Sequence, residues 1–180
     1  MNHMVQNKTQ RHVMIDVETT GLAPHRGDRV IEVGALVLAD YEIAEEFHTL
    51  VYVRKRIPVS AWLIHGISNE MLEGAPESDE VFSKLKKFIG KSTIVAHNAQ
   101  FDMGFLKYEF SRVGLEMNNR YKCTLQLSRQ RYPRLPNHRL ETVYRYVTGR
   151  RPDGQSHRAL GDARMVAEIW KAVRDNGAPA

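Results

Sequence analysis

A short β-branched run, Arg11-His12-Val13-Met14-Ile15-Asp16-Val17, constrains this chain more than any other stretch, because it is an apolar strand whose end carries two carboxylates, Asp16 and Glu18. Side chains alternate faces along a strand, so a spacing of two points both acids the same way. Carboxylates at the end of a buried strand are unfavourable unless something neutralises them, although two solvated turn acids would also explain the pair. Later runs repeat the theme. Val30–Ala39 reads as a second strand, interrupted only by Glu32, and Glu42–Val53 as a third across the short turn at Ala39-Asp40-Tyr41.

Beyond Pro58 the spacing of apolar residues becomes helical. Val59–His65 and Ser68–Glu73 are expected as short helices. Pro76–Ile89 is a clearer helix, with Val81, Leu85 and Phe88 on one face and Gly90 closing it. Thr93–His97 reads as a buried strand followed by a helix from about Gln100 to Val113. Cys123–Tyr132, Arg139–Thr148 and Ala159–Asn176 complete the helices. This order predicts an α/β chain with a mixed sheet and an antiparallel portion at its start. With 180 residues and no repeat or linker, one domain over 11–176 is expected, between tails at 1–10 and 177–180.

Three clusters carry the chemistry. Asp102 is expected in the first turn of the helix after Thr93–His97, where the helix dipole favours a carboxylate. If that strand pairs beside the first, Asp102 joins Asp16 and Glu18 at the sheet end where α/β folds place ligands. His157 and Asp162 lie five residues apart, about 140° around a regular helix. They cannot share one helical face, so His157 is expected in the loop or first turn and Asp162 on the helix proper. Crowded carboxylates repel unless cations intervene, and hard oxygen donors select magnesium or manganese. Two such ions suit phosphoryl displacement, with a neutral histidine taking a proton from the attacking water.

These residues fall in Asp16-Val17-Glu18-Thr19-Thr20-Gly21, His97-Asn98-Ala99-Gln100-Phe101-Asp102 and His157-Arg158-Ala159-Leu160-Gly161-Asp162-Ala163. In type and order the three segments resemble the motifs of the DEDDh (DnaQ-like) 3′–5′ exonucleases, and the likeness covers roughly 13–173. Within that family, Leu63-Ile64-His65-Gly66-Ile67 and Phe101-Asp102-Met103-Gly104-Phe105-Leu106 are most similar to the proofreading epsilon subunit of bacterial DNA polymerase III. The resemblance implies a ribonuclease H-like fold: a central mixed five-stranded sheet flanked by helices. It also implies hydrolysis from the 3′ end of single-stranded or frayed DNA, with release of nucleoside 5′-monophosphates. Asp16, Glu18, Asp102 and Asp162 would be ligands of two Mg2+ or Mn2+ ions, and His157 the general base. Thr19, Thr20, Leu22, His65, Asn98 and Phe101 would border the terminal nucleotides, against core packing as the plain explanation of Leu22 and Phe101. Tyr144 and Tyr146 lie on the wrong side of the last motif to replace the histidine. Ser60 stands where epsilon relatives often carry an acid.

An RNA-processing exonuclease similar to ribonuclease T or oligoribonuclease shares the same motifs, and a non-catalytic nucleic-acid binder is the reading from another class. The net charge of +5 suits a nucleic-acid partner. Arg54-Lys55-Arg56 and the arginines at 129, 131, 134 and 139 are its denser clusters, each equally readable as a solvated face. A single cysteine, Cys123, excludes an internal disulfide and a multi-cysteine zinc site, and reads as a partly buried small residue. No segment has the length and apolarity of a signal core or a membrane span, so a cytoplasmic protein is expected. The chain ends at Ala180 without a glutamine-led clamp-binding motif or a C-terminal extension of the polymerase-engaging kind. That ending weighs against a replicase subunit and leaves a standalone exonuclease or a fragment of a longer protein as the expectation.

Overall fold

The computed structural model describes residues 11–152 and 157–175, with side chains to 174. Its elements run β1 (Arg11–Thr19), β2 (Val30–Ala39), β3 (Glu42–Leu50), α1 (Val59–His65), α2 (Ser78–Ile89), β4 (Thr93–Ala96), α3 (Ala99–Arg112), β5 (Tyr121–Cys123), α4 (Thr124–Arg131), α5 (Leu140–Thr148) and α6 (Ala159–Asp175). One mixed sheet in the order β3-β2-β1-β4-β5 joins them. β1 pairs antiparallel with β2 and parallel with β4, and β5 extends the parallel side. The five-stranded α/β sheet flanked by helices is as expected.

Several boundaries differ. The third strand stops at Leu50 rather than Val53. Ser68–Glu73 contributes only a 3-10 turn, Glu70–Leu72. Cys123 ends β5 instead of opening a helix, which starts at Thr124. Three residues are too few to display a period of two, so β5 exists by virtue of pairing with β4 and not of any local pattern. The end of the last helix at Asn176 lies outside the described residues.

The two faces of the sheet bury different helices. Val13, Ile15 and Val17 of β1 point with Val33, Ala35 and Val37 of β2 into a cluster that includes Val81, Phe82 and Leu85 of α2 and Phe105, Leu106 and Phe110 of α3. The even-numbered residues face the other way: Met14, Leu36 and Leu38 pack on Ala163, Val166, Ala167 and Trp170 of α6. Asp16, Glu18, Glu32 and Gly34 lie on this second face by the same alternation. Gly34 is where α6 begins its crossing, since a Cβ at that position would overlap the backbone of Ala159 and Leu160. The sheet therefore delivers two β1 acids and the start of α6 to one place.

Candidate active site

At the C-terminal end of β1, Asp16 and Glu18 meet Asp102 from the first turn of α3 and Asp162 from the first turn of α6. Each arrives for a local reason. β1 alternation sets the first two. α3 begins directly after β4, and backbone N–H groups of Val17 and of Asp102 itself hydrogen-bond the Asp102 carboxylate. Asp162 shares the helical stripe of Ala163, Val166 and Trp170, which is buried against the sheet. Asp102 and Asp162 are 2% and 6% exposed, and Glu18 9%.

No lysine or arginine among the described residues pairs with any of the four. The electrostatic consequence is large. Burial, with the neighbouring Asp102, Asp162 and Glu18, raises Asp16 well above the ordinary carboxylate range. Burial, with Asp162, Glu32 and Asp102, raises Glu18 to about 8. Burial raises Asp102 to about 7 against the two backbone hydrogen bonds, and Asp162 to about 6 against the nearby His157. Such a group is stable as carboxylates only with positive charge among them.

His157 supplies the remaining group. It lies before α6, exposed, with φ of 62°. Its ring nitrogen and the carboxylate oxygens of Glu18 and Asp162 fall within 4.8 Å of one another. Asp16 and Asp102 lie outside that tight set, and their charges repel those of the other acids. Oxygen donors in this number, with unsatisfied charge, fit a hard divalent cation. Among the described residues, the other positive-φ non-glycine residues are Asn98, which precedes α3, and Asp40 and Tyr41 in the β2–β3 turn. Two of the four left-handed residues thus border the acids, as strained backbone often does at functional sites.

The expected nucleotide-bordering residues divide into two kinds. Leu22 is 82% exposed, which removes core packing as its explanation. Phe101 is half-buried and tilts against Phe105 with ring centroids 4.9 Å apart, so packing accounts for part of it. Thr19 and Thr20 spend their hydroxyls on the turn: Thr19 donates to the Gly21 carbonyl at 2.6 Å, and Thr20 accepts from the Arg29 N–H at 3.0 Å. His65 is buried, accepts the Ile67 N–H at Nδ1, and leaves Nε2 without a hydrogen-bond partner among the described residues. Asn98 is exposed. Its neighbour His97 braces the start of α4 and the α4–α5 connection, through Thr124 Oγ1 at 2.9 Å and the His138 carbonyl at 2.8 Å.

Sequence reasoning missed one residue here. Glu32, opposite Glu18 across the β1–β2 ladder, is fully buried. Arg158 donates to it through Nε at 3.0 Å and Nη2 at 2.7 Å, His48 Nε2 at 2.7 Å and the Ala159 N–H at 3.1 Å. Burial alone would raise its carboxyl; these donors outweigh that and hold it below the usual range. The available signal was the acid inside the otherwise apolar run Val30–Ala39.

Comparison with known proteins gives the family. The family model RNase_T, described as Exonuclease, matches residues 13–170. The chain is 42% identical over 175 residues to the DNA polymerase III PolC-type of Bacillus cereus, a match covering 93% of this chain and 12% of that protein. It is 34% identical over 170 residues to the DNA polymerase III subunit epsilon of Rickettsia typhi, covering 91% of this chain and 73% of the subunit. The chain therefore spans about a tenth of the length of its PolC-type relatives. Among solved structures, Exonuclease X in complex with 5′ overhanging duplex DNA superposes with a TM-score of 0.76 at 26% identity, over 94% of both chains.

Proposed function

The chain belongs to the exonuclease family whose model spans residues 13–170, and on that premise we propose that it hydrolyses phosphodiester bonds from the 3′ end of single-stranded or frayed DNA, releasing nucleoside 5′-monophosphates. The observation that carries this reading is the set of four crowded, unpaired carboxylates with His157 beside Glu18 and Asp162. A module that only bound nucleic acid would gain nothing from a repulsive acidic cluster facing phosphates.

Asp16, Glu18, Asp102 and Asp162 are the residues that would hold two divalent cations, Mg2+ or Mn2+. When bound, these ions supply positive charge against the carboxylates and the reacting phosphate. His157, in its uncharged form, would take a proton from the water that attacks phosphorus. The bond from phosphorus to the 3′ oxygen of the penultimate nucleotide breaks. Leu22 and Phe101 offer apolar faces to unstacked terminal bases, which suits a site indifferent to base identity. The unpartnered Nε2 of His65, the exposed Asn98, and the backbone at Thr19 and Thr20 are the polar groups for the terminal nucleotide. The polymerase III relatives favour a proofreading role beside a DNA polymerase, in the cytoplasm. No described helix is long and apolar enough to cross a membrane.

The test is a 5′-labelled single-stranded DNA and its RNA counterpart, incubated with magnesium, manganese or EDTA. A metal-dependent ladder shortening from the 3′ end is expected. Asp16→Ala should abolish it, and His157→Ala should slow it by about 10²–10⁴-fold, the range for a general base. Faster loss of RNA than of DNA would move the assignment to an exoribonuclease. Intact substrate with a folded protein under every metal condition would sink it.

A further inference from the structure

We propose that Glu32 is a positioning residue that fixes where His157 stands, acting through Arg158 and the first turn of α6. The inference rests on the reading of His157 as the general base.

Two different forces hold the segment from His157 to Asp162. Asp162 belongs to a helix whose face of Ala163, Val166, Ala167 and Trp170 is packed against Met14, Leu36 and Leu38. Burial of that apolar face holds the helix to the sheet, so Asp162 stays in place by core packing. Among the described residues His157 has no such packing, although its backbone hydrogen-bonds the Asp162 carboxylate. It precedes the helix, is exposed, and adopts a left-handed backbone that a histidine does not prefer. The next two residues are tied down instead. Arg158 reaches Glu32, 126 residues away in sequence, with a forked pair of hydrogen bonds, and the Ala159 N–H donates to the same carboxylate.

The anchor is itself rigid. Glu32 lies near the start of β2, the central strand of β1–β2–β3, with Glu18 opposite on one side and Leu50 on the other. His48 of β3 occupies a further lone pair at 2.7 Å. With Arg158, His48 and Ala159 all donating, Glu32 has little capacity left to join the acids around Glu18. Its chemistry is spent on placing the chain. Gly34, one step along the same face of β2, lets the backbone of Ala159 and Leu160 approach closely enough for those bonds to form. A catalytic base must stand within hydrogen-bond reach of its proton, and a displacement of about 1 Å can cost about a hundredfold.

Steady-state kinetics on 5′-labelled single-stranded DNA with magnesium tests this, using Glu32→Gln, Arg158→Gln and His157→Ala, singly and combined, beside melting curves. Glu32→Gln should lower kcat about a hundredfold with KM within about threefold of the parent. Arg158→Gln, a change at a partly exposed side chain, should do the same and decides the matter if Glu32→Gln fails to fold. In a His157→Ala background, Glu32→Gln should cost less than about threefold, because the group it positions is gone. An equal loss in both backgrounds would make the network a scaffold and overturn the inference. A crippled His157→Ala beside fully active, folded Glu32→Gln and Arg158→Gln overturns it alone. A wild-type rate in His157→Ala sinks the base assignment, and the inference with it.

Discussion

Asp102 and Glu109 stand about two turns apart on α3, and both are almost fully buried, at 2% and 1% exposure. Their surroundings could hardly differ more. Glu109 accepts hydrogen bonds from Arg29 Nε at 2.7 Å, Arg29 Nη2 at 3.0 Å and the Val30 N–H at 3.1 Å, while Arg29 also reaches Ser78. Asp102 receives backbone N–H groups only, faces other acids, and is driven up to about 7 by burial. The first is a tie between α3 and the start of β2. The second is charge left open for something that arrives later. A buried carboxylate with its arginine reads as architecture, and one without reads as chemistry.

Opposite signs on stability would sharpen that contrast most. Glu109→Ala leaves Arg29 facing a buried gap and should cost about 3–5 kcal/mol, visible as a lower denaturant midpoint with the nuclease site itself intact. Asp102→Asn should do the reverse in metal-free protein, raising the melting temperature by relieving repulsion while removing activity. If both changes destabilise alike, the two acids are the same kind of residue and the contrast fails.

A smaller effect comes from pH. Asp162, Asp102 and Glu18, raised to about 6, about 7 and about 8, bind more protons folded than unfolded. Their contribution to stability is full at pH below the ordinary carboxylate range and is lost as pH rises through those values. In EDTA the melting temperature should therefore fall from about pH 5 to about pH 8, and added magnesium should flatten the slope. Glu32, held low by its donors, keeps its contribution across that whole window and loses it only under more acidic conditions. A flat profile in EDTA would mean that the acids are not coupled as their burial requires. The smallest effect belongs to an acid–arginine pair on the surface. Arg164 and Glu46 meet at 2.7 Å but are 53% and 34% exposed, so Arg164→Ala should change stability by less than about 1 kcal/mol.

Legibility in the sequence divides along the same line. The strand acids announced themselves, because a carboxylate at the end of an apolar strand violates a local expectation; Asp102 and Asp162 suit ordinary first-turn positions and joined the set only through the motifs they complete. His157 outside the helix and Asp162 within it came from rotation per residue alone. Glu109 gave no such signal, since its arginine lies 80 residues away and no short-range pattern links them. Glu32 did violate the apolar run of β2, yet read only as an interruption, because its partners Arg158 and His48 come from the start of α6 and from β3. Likewise β5 is three residues long and exists through its neighbour β4. Local periodicity reveals elements and misfits; it does not reveal which distant group satisfies a buried charge.

The strand order has a consequence in time. β1 lies in the middle of the sheet, and the acids gathered at its end come from residues 16, 18, 102 and 162. A chain emerging from the ribosome folds its local β2–β3 hairpin early, whereas contacts between distant segments wait for loop closure. Until α6 has been synthesised and has settled on β2, Asp162 and His157 are missing from the cluster. A half-made chain thus carries the acids of β1 and α3 without Asp162 or His157, and the cluster is complete only once the last helix is in place.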